Sequence, residues 1–322
     1  SFLTSILISS QLYSEELING AGSTFAAPIY FKWFAEYQKA NPKIKLNYQS
    51  VGSGAGIKQL LAGTVSFAGS DAPLSDDEKK QSTLVIKQIP VVLGAVVIAY
   101  NLSGDLKNLK LDEATLSKIA LGEITEWNNP DIQKLNKDLK LPDSKILFVH
   151  RSDGSGTTAV FTDYLSKVSV SWKEKVGTGK SVNWPIGIGG KGNEGVTALI
   201  SQTPGSIGYT ELAYAINNKL NMASLKNAKG KFVAPTTNSV SASVPGKNYK
   251  GDYVGSIVNS DNADAYPISS FTYFLLPEKN DNVTKELKSF LNWALSTGQA
   301  FAEGLFYAPL PKAALAKIKT AI

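Results

Sequence analysis

The sequence predicts an α/β protein of two domains that holds a ligand in the cleft between them. Three observations carry this. The first 70 residues alternate strand, turn and helix, the pattern of a sheet whose strand ends carry ligand sites. Two long, almost wholly apolar runs, near 91–100 and 268–276, bracket the middle of the chain and read as crossings from one domain to the other. At 322 residues the chain is long enough to build two cores. A discontinuous first domain, 17–92 with 267–322, and a second, 93–266, follow from the two crossings. Residues 1–16 are apolar and serine-rich before Glu15-Glu16, and read as the remnant of a signal peptide.

Taken in order, residues 17–20 read as a first strand that enters Ala21-Gly22-Ser23-Thr24-Phe25. A helix follows, with Pro28 in its first turn, Ile29, Trp33, Phe34 and Tyr37 on one face, and Asn41-Pro42 as its stop. Residues 44–49 alternate as a second strand. Gly52-Ser53-Gly54-Ala55-Gly56 reads as a flexible turn before a helix carrying Ile57, Leu60 and Leu61, and residues 65–68 form a third strand that delivers Ser70-Asp71. Residues 111–136 read as helices broken by Trp127-Asn128-Asn129-Pro130. The run 146–149 reads as a buried strand, and Val160, Phe161, Tyr164, Leu165 and Val168 share a helix face. Between them lies His150-Arg151-Ser152-Asp153-Gly154-Ser155-Gly156-Thr157-Thr158, a strand-to-helix turn. The glycine-dense stretch 184–195 reads as a loop before a helix at 196–202. Residues 207–209 and a helix near 212–216 come next, then surface loops over 226–265, and terminal helices at 283–295 and 299–306.

Composition narrows the function. Hydrophobic content of 43% with 19% charged residues describes a globular chain, and no apolar run is long enough to span a bilayer. The net charge of +6 permits anionic partners, but the lysines are spread from Lys32 to Lys319 and there is one arginine, which argues against nucleic acid. With no cysteine and one histidine, thiolate chemistry and zinc-thiolate sites are excluded, and no calcium loop motif is present; no metal or cofactor is expected. Three catalytic patterns also fail. Gly179-Lys180-Ser181 lacks the first glycine of a nucleotide phosphate loop, since Glu174 stands there. The Gly187-x-Gly189-x-x-Gly192 match has no clear βαβ unit around it, and no Gly-x-Ser-x-Gly elbow exists.

What remains is four turns of one chemistry. Ser23-Thr24-Phe25, Gly52-Ser53-Gly54, Ser70-Asp71 and Arg151 with Ser155-Gly156-Thr157 offer hydroxyls, free N–H groups at helix starts, one carboxylate and the only arginine. Singly, each could be a helix cap, and Arg151 could simply bridge Asp153 at a surface turn. Converging, they would hold a multiply charged oxyanion without a metal. A planar guanidinium fork is a job that lysine cannot do.

These turns, with Trp184-Pro185-Ile186-Gly187, the Gly189-Gly190-Lys191-Gly192-Asn193 run and Pro204-Gly205-Ser206-Ile207-Gly208-Tyr209, resemble the periplasmic phosphate-binding proteins (PstS) of bacterial phosphate ABC transporters. The resemblance runs in order from about Asn19 to the C-terminus. It implies the type II periplasmic solute-binding fold, hinge-linked, which binds inorganic phosphate and hands it to a membrane permease with its ATPase. It also implies a monomer without enzymatic activity, located in the periplasm with no cysteine for lipid anchoring. Carried over, the phosphate-binding residues would be Thr24, Phe25, Ser53, Asp71, Arg151, Ser155, Gly156 and Thr157, with Asp153 steadying Arg151. Asp71 would be the selector, because its carboxylate accepts a hydrogen bond from a P–OH but meets only lone pairs on sulfate. Other readings stay open: a receptor for another tetrahedral oxyanion, a phosphomonoesterase using Ser155 and His150, or a surface adhesin that reuses the fold.

Overall fold

The computed structural model describes residues 16–104, 106–246 and 250–322. The leader expectation for residues 1–16 lies almost wholly outside them. Among the described residues the chain runs β1 (Glu16–Gly22), α1 (Ala27–Ala40), β2 (Ile44–Ser50), α2 (Ser53–Leu61), β3 (Phe67–Ser70), α3 (Asp76–Gln81) and β4 (Ile86–Tyr100). It continues through β5 (Lys110–Leu111), α4 (Glu113–Leu121), α5 (Pro130–Gln133), β6 (Leu147–Arg151), α6 (Gly156–Val168), α7 (Val170–Lys175), β7 (Ile188–Gly190) and α8 (Gly192–Gln202). Next come β8 (Ser206–Glu211), α9 (Leu212–Asn217), β9 (Asn221–Met222), β10 (Ser224–Lys226), β11 (Phe232–Val233) and α10 (Thr237–Ser241). The last elements are β12 (Ser269–Pro277), α11 (Asn282–Ala294), two 3₁₀ turns and α12 (Lys312–Lys319).

One strand organises the sheet. Residues of β4 up to Ala95 pair antiparallel with β12, and Val96–Tyr100 pair antiparallel with β8, so the order is β2-β1-β3-β12-β4-β8-β6-β7. On one side β1, β2 and β3 are mutually parallel and run in the direction of β4; on the other β8, β6 and β7 run against it. Both parallel sets therefore point their carboxyl ends at the middle of β4. Helices that follow those strands start there, and their free N–H groups face one place.

Each half has its own aromatic core. Beside β1–β3, Phe67 stacks on Phe274 at 4.6 Å between ring centres, and Phe34 meets Phe290 at 5.1 Å. Beyond β4, Phe161 stacks on Tyr209 at 4.4 Å, with Trp184 over Tyr209 at 5.6 Å. Such pairs add to the burial of large rings and stiffen the platform under each wall of the cleft.

The structure corrects several expectations. Helix α2 begins at Ser53, so the glycine-rich run 53–56 is its first turn and only Gly52, with φ +91°, is the bend. Helix α8 likewise begins at Gly192, and Ile188–Gly190 is an edge strand paired with β6, because parallel pairing satisfies backbone groups even in a glycine-rich segment. Residues 226–265 are not surface loops: they contain β11 and α10, and Val240, Tyr253, Val258 and Ala265 are buried. Residues 299–306 form 3₁₀ turns, Thr297–Phe301 and Glu303–Leu305, ended by Phe306 in the left-handed region at φ +67°. Residues 111–136 hold only two short helices, and β3 lies two residues further along the chain than 65–68.

Candidate functional site

The candidate site lies where the carboxyl ends of the two parallel sets meet. From the first half, Ser23-Thr24-Phe25 links β1 to α1, Ser53 opens α2, and Asp71 follows β3. From the second, Arg151 ends β6, Ser155 caps α6 by accepting from the Thr158 N–H at 3.0 Å, and Gly156 and Thr157 open that helix. Thr24, Phe25, Ser53, Asp71, Arg151, Ser155 and Thr157 are all buried at 3% exposure or less, so the expected residues form one interior cluster. Arg151 is thus not on a surface turn.

The two halves touch directly here. The Gly54 N–H donates to the Gly154 carbonyl at 2.9 Å, and Lys180 pairs with Glu78 at 2.9 Å across the cleft. A Cβ on Gly156 would stand 2.4 Å from both Asp71 Oδ2 and Ser53 Oγ, so only glycine permits this approach. Beside Asp71, residues 255–258 and helix α6 wall a cavity of about 150 Å³ that also meets Pro73, Val160 and Ile257. The segment expected to be surface loops therefore closes one side of the cleft.

Two carboxylates set the electrostatics. Arg151 donates through Nε and Nη2 to both oxygens of Asp153, at 2.7 and 2.6 Å, a bidentate pair. Burial pushes Asp153 up, but the Arg151 guanidinium and the Gly192 N–H outweigh it and hold the carboxyl below its usual range. Among the described residues no cation is in contact with Asp71. Ser23 donates to both its oxygens at 2.6 and 2.7 Å, Thr272 to Oδ1 at 2.8 Å, and Ser53 more distantly to Oδ2 at 3.4 Å. Burial dominates, and the hydroxyls and the field of Arg151 only partly offset it, so its pKa rises to about 6.

His150 takes no part. Adjacent strand residues point to opposite faces, so while Arg151 enters the cleft the His150 ring stacks on Trp184 at 4.8 Å, with Nδ1 3.0 Å from the Arg151 carbonyl. Ser155 Oγ is engaged in its helix cap. This arrangement does not favour a serine–histidine hydrolase.

Several residues of the cluster escaped the sequence reading. Asn193, fully buried, donates from Nδ2 to Thr24 Oγ1 at 2.7 Å and so joins the halves. Tyr214 donates to the Thr24 carbonyl at 2.5 Å, and Thr272 holds Asp71 together with Ser23, whose hydroxyl the sequence already places among the four turns. Asn193 stood in the quoted glycine-rich run, and its polarity amid small residues was a signal. Thr272 lies inside an apolar strand 201 residues from Asp71 and gave none.

Comparison with known proteins now supplies the family. A model of the PBP superfamily domain matches residues 9–297. The phosphate-binding protein PstS of Pasteurella multocida is 43% identical over 309 residues, covering 94% of this chain and 89% of that protein. Among solved structures, a phosphate-binding protein from Stenotrophomonas maltophilia superposes with TM-score 0.71 at 19% identity, covering 95% of this chain and 93% of that one. A high-affinity periplasmic phosphate-binding protein, PfluDING, bound with phosphate, superposes with TM-score 0.73 at 21% identity, covering 95% and 94%. The fold is the α/β, two-domain solute-binding fold that the sequence led us to expect, and the chain belongs to the PstS family of phosphate-binding proteins.

Proposed function

We propose that the chain binds inorganic phosphate, as hydrogen phosphate, in the cleft and delivers it to the membrane permease of an ABC transporter with its ATPase. In this reading it works in the periplasm as a monomer and catalyses nothing, and its leader is a signal peptide. The domains are 17–92 with 267–322 and 93–266, hinged where β4 and the start of β12 cross between them. Thr24, Phe25, Ser53, Asp71, Arg151, Ser155, Gly156 and Thr157 surround the ion, and Asp153 steadies Arg151.

The observation that carries this reading is Asp71. A carboxylate buried among hydroxyls with no cation in contact is costly unless its remaining acceptor capacity is used. A P–OH uses it. Sulfate has no proton to offer at neutral pH and would place lone pairs and negative charge against it, so Asp71 argues for phosphate over other tetrahedral oxyanions. Backbone N–H groups at the starts of α1, α2 and α6, with the Arg151 charge, replace the water that the ion loses. Relatives that bear the name phosphate-binding protein PstS support the same assignment.

Calorimetric titration of ligand-stripped protein with phosphate and with sulfate, at two pH values, tests this. Tight one-to-one phosphate binding without sulfate heat is expected. Comparable sulfate binding would replace phosphate by a general oxyanion, and turnover of a chromogenic phosphate ester abolished by Ser155→Ala would replace the receptor by an enzyme.

A further inference from the structure

Three successive carbonyls at the edge of the cleft each accept from a tyrosine hydroxyl. Tyr48 Oη donates to the Ser23 carbonyl at 2.9 Å, Tyr214 Oη to that of Thr24 at 2.5 Å, and Tyr307 Oη to that of Phe25 at 2.5 Å. The three tyrosines come from separate parts of the chain: β2, α9, and the segment after the 3₁₀ turns that bridges to β4 through Ala308. The turn they hold has little local support, because Ala26, at the N-cap of α1, gives no side-chain cap. Room is kept for one of them: a Cβ on Gly69 would stand 2.4 Å from Tyr48 Oη. Burial raises the pKa of all three phenols, so each keeps its O–H and stays a donor. Glu194 Oε1 stands 3.2 Å from Tyr214 Oη, but the single phenolic proton goes to the closer Thr24 carbonyl.

A carbonyl fixed in this way fixes the N–H that follows it. The peptide unit is planar and no cis bond occurs among the described residues, so a C=O and the next N–H point in opposite directions. Tyr48 therefore aims the Thr24 N–H, Tyr214 the Phe25 N–H and Tyr307 the Ala26 N–H, each away from its tyrosine. The Ala26 N–H closes the turn on Ser23 Oγ at 3.1 Å. The Thr24 and Phe25 N–H groups meet no acceptor among the described residues, and they are the two that the phosphate reading gives to the ion. A hydroxyl that donates to the carbonyl also polarises the peptide and strengthens its N–H as a donor, by about 10–30% per bond.

The tyrosines differ in where they stand. Tyr48 and Tyr307 lie in the same half as the turn, whereas Tyr214 reaches it from the other half, beyond β8. Within its own half the Thr24 carbonyl has only a long bond from the Ala27 N–H, at 3.3 Å, among the described residues. We propose that Tyr48, Tyr214 and Tyr307 are positioning residues that aim backbone donors at the anion, and that Tyr214 completes the Phe25 donor only when the two halves meet. Closing the cleft then does more than cover the ion, since it orders a donor on the opposite wall. This rests on the phosphate reading above and adds to it three residues outside the expected ligand set.

The test reads the phosphate-induced amide proton shifts of Thr24 and Phe25 by NMR, on ligand-stripped and phosphate-loaded protein, in wild type, Tyr48→Phe and Tyr214→Phe. Both changes keep the ring and remove only the hydroxyl. Each variant is expected to shrink the shift of its own amide, Thr24 for Tyr48→Phe and Phe25 for Tyr214→Phe. Kd for phosphate should rise about tenfold in each, about 1.4 kcal/mol. For Tyr214→Phe the rise should lie in the release rate with association unchanged, because its bond forms after capture; a rise carried by slower association overturns its closing role. Tyr214 is only partly buried, so Tyr214→Phe carries the test if Tyr48→Phe does not fold. Unchanged shifts, two shifts that fall together in either variant, or a Kd within twofold of wild type make the tyrosines merely structural and overturn the inference. Absence of phosphate binding by the wild-type chain overturns the phosphate reading, and this inference with it.

Discussion

Asp71 and Asp153 stand on opposite walls of one cleft, each just beyond the end of a parallel strand, and physics treats them in opposite ways. Asp153 keeps part of its side chain in reach of solvent, at 15% exposure, and has the Arg151 fork on both oxygens. Its charge is matched where it sits, and its pKa falls. Asp71 is sealed in and held, among the described residues, by neutral hydroxyls, and its pKa rises. The same functional group is a fixed anion in one wall and a conditional one in the other. Under the phosphate reading proposed above, the site needs both: Asp153 would orient the cation, and Asp71 would accept the proton of the ion.

The largest effect is expected from removing the cation. Arg151→Met leaves Asp153 half-buried without its partner and takes the only guanidinium from the site. A loss on the scale of a broken buried ion pair, about 3–5 kcal/mol, felt in binding would lower phosphate affinity by about a hundredfold to a few thousandfold. Arg151→Lys should recover part of this, since the charge returns without the fork. Calorimetric binding within tenfold of wild type for the Met variant would sink the pairing argument.

Next is Asp71→Asn. Removing the conditional charge lifts the repulsion against unprotonated ions, and sulfate affinity should rise by about a hundredfold, about 2.7 kcal/mol, while phosphate binding weakens. Competition of sulfate against bound phosphate checks this, and unchanged selectivity would remove Asp71 from the selector role.

The third prediction concerns stability of the ligand-free protein. A carboxyl whose folded pKa is raised from 3.8 to about 6 favours the folded state below the lower value and loses that contribution as pH rises through the upper one. Each unit is worth about 1.4 kcal/mol, so Asp71→Asn should be more stable than wild type above about pH 6 by up to about 3 kcal/mol. That advantage should vanish below about pH 4. Asp153, with its folded pKa lowered, has the opposite sign: its contribution is present above the unfolded carboxylate range and is lost as pH falls through its folded value. Thermal melts of Asp71→Asn and Asp153→Asn across acid to neutral pH should therefore diverge from wild type in opposite directions; parallel shifts would end the contrast between the two carboxylates.

The smallest effect is at the rim. Lys180 and Glu78 pair across the cleft while partly exposed, at 16% and 22%. Glu78→Gln should accelerate phosphate release only a few-fold, in line with about 0.2–1 kcal/mol for a solvated pair, and high salt should erase the difference. Stopped-flow release traces measure it. A loss as large as that of Arg151→Met would move the closing force from the core of the site to its edge.

Local pattern determined a good deal about this protein. The spacing of Ile29, Trp33, Phe34 and Tyr37 marks α1, and all four are buried. The apolar run ending at Tyr100 marks the strand on which the sheet turns, although its polar first residues, Lys87 and Gln88, hid where it starts. A single arginine beside a glycine-hydroxyl turn pointed to an oxyanion before any coordinates. These signals are local, since propensity, periodicity and residue chemistry act within a few positions.

What only the tertiary structure decided depends on residues far apart in the chain. That Ser53 begins a helix rather than a loose turn depends on the packing of Gly56 against Gly22, which no propensity of Ser-Gly-Ala-Gly announces. Burial of Tyr253 and Val258 within a polar, aperiodic segment depends on β12, whose Phe271 meets Tyr253 at 6.1 Å between ring centres. The state of Asp71 is the clearest case. Its carboxyl is perturbed because Ser23 and Thr272, 48 and 201 residues away, supply hydroxyls instead of a cation while the fold removes the water. A sequence names the acid; desolvation and the partners assembled around it decide how firmly it holds its own proton.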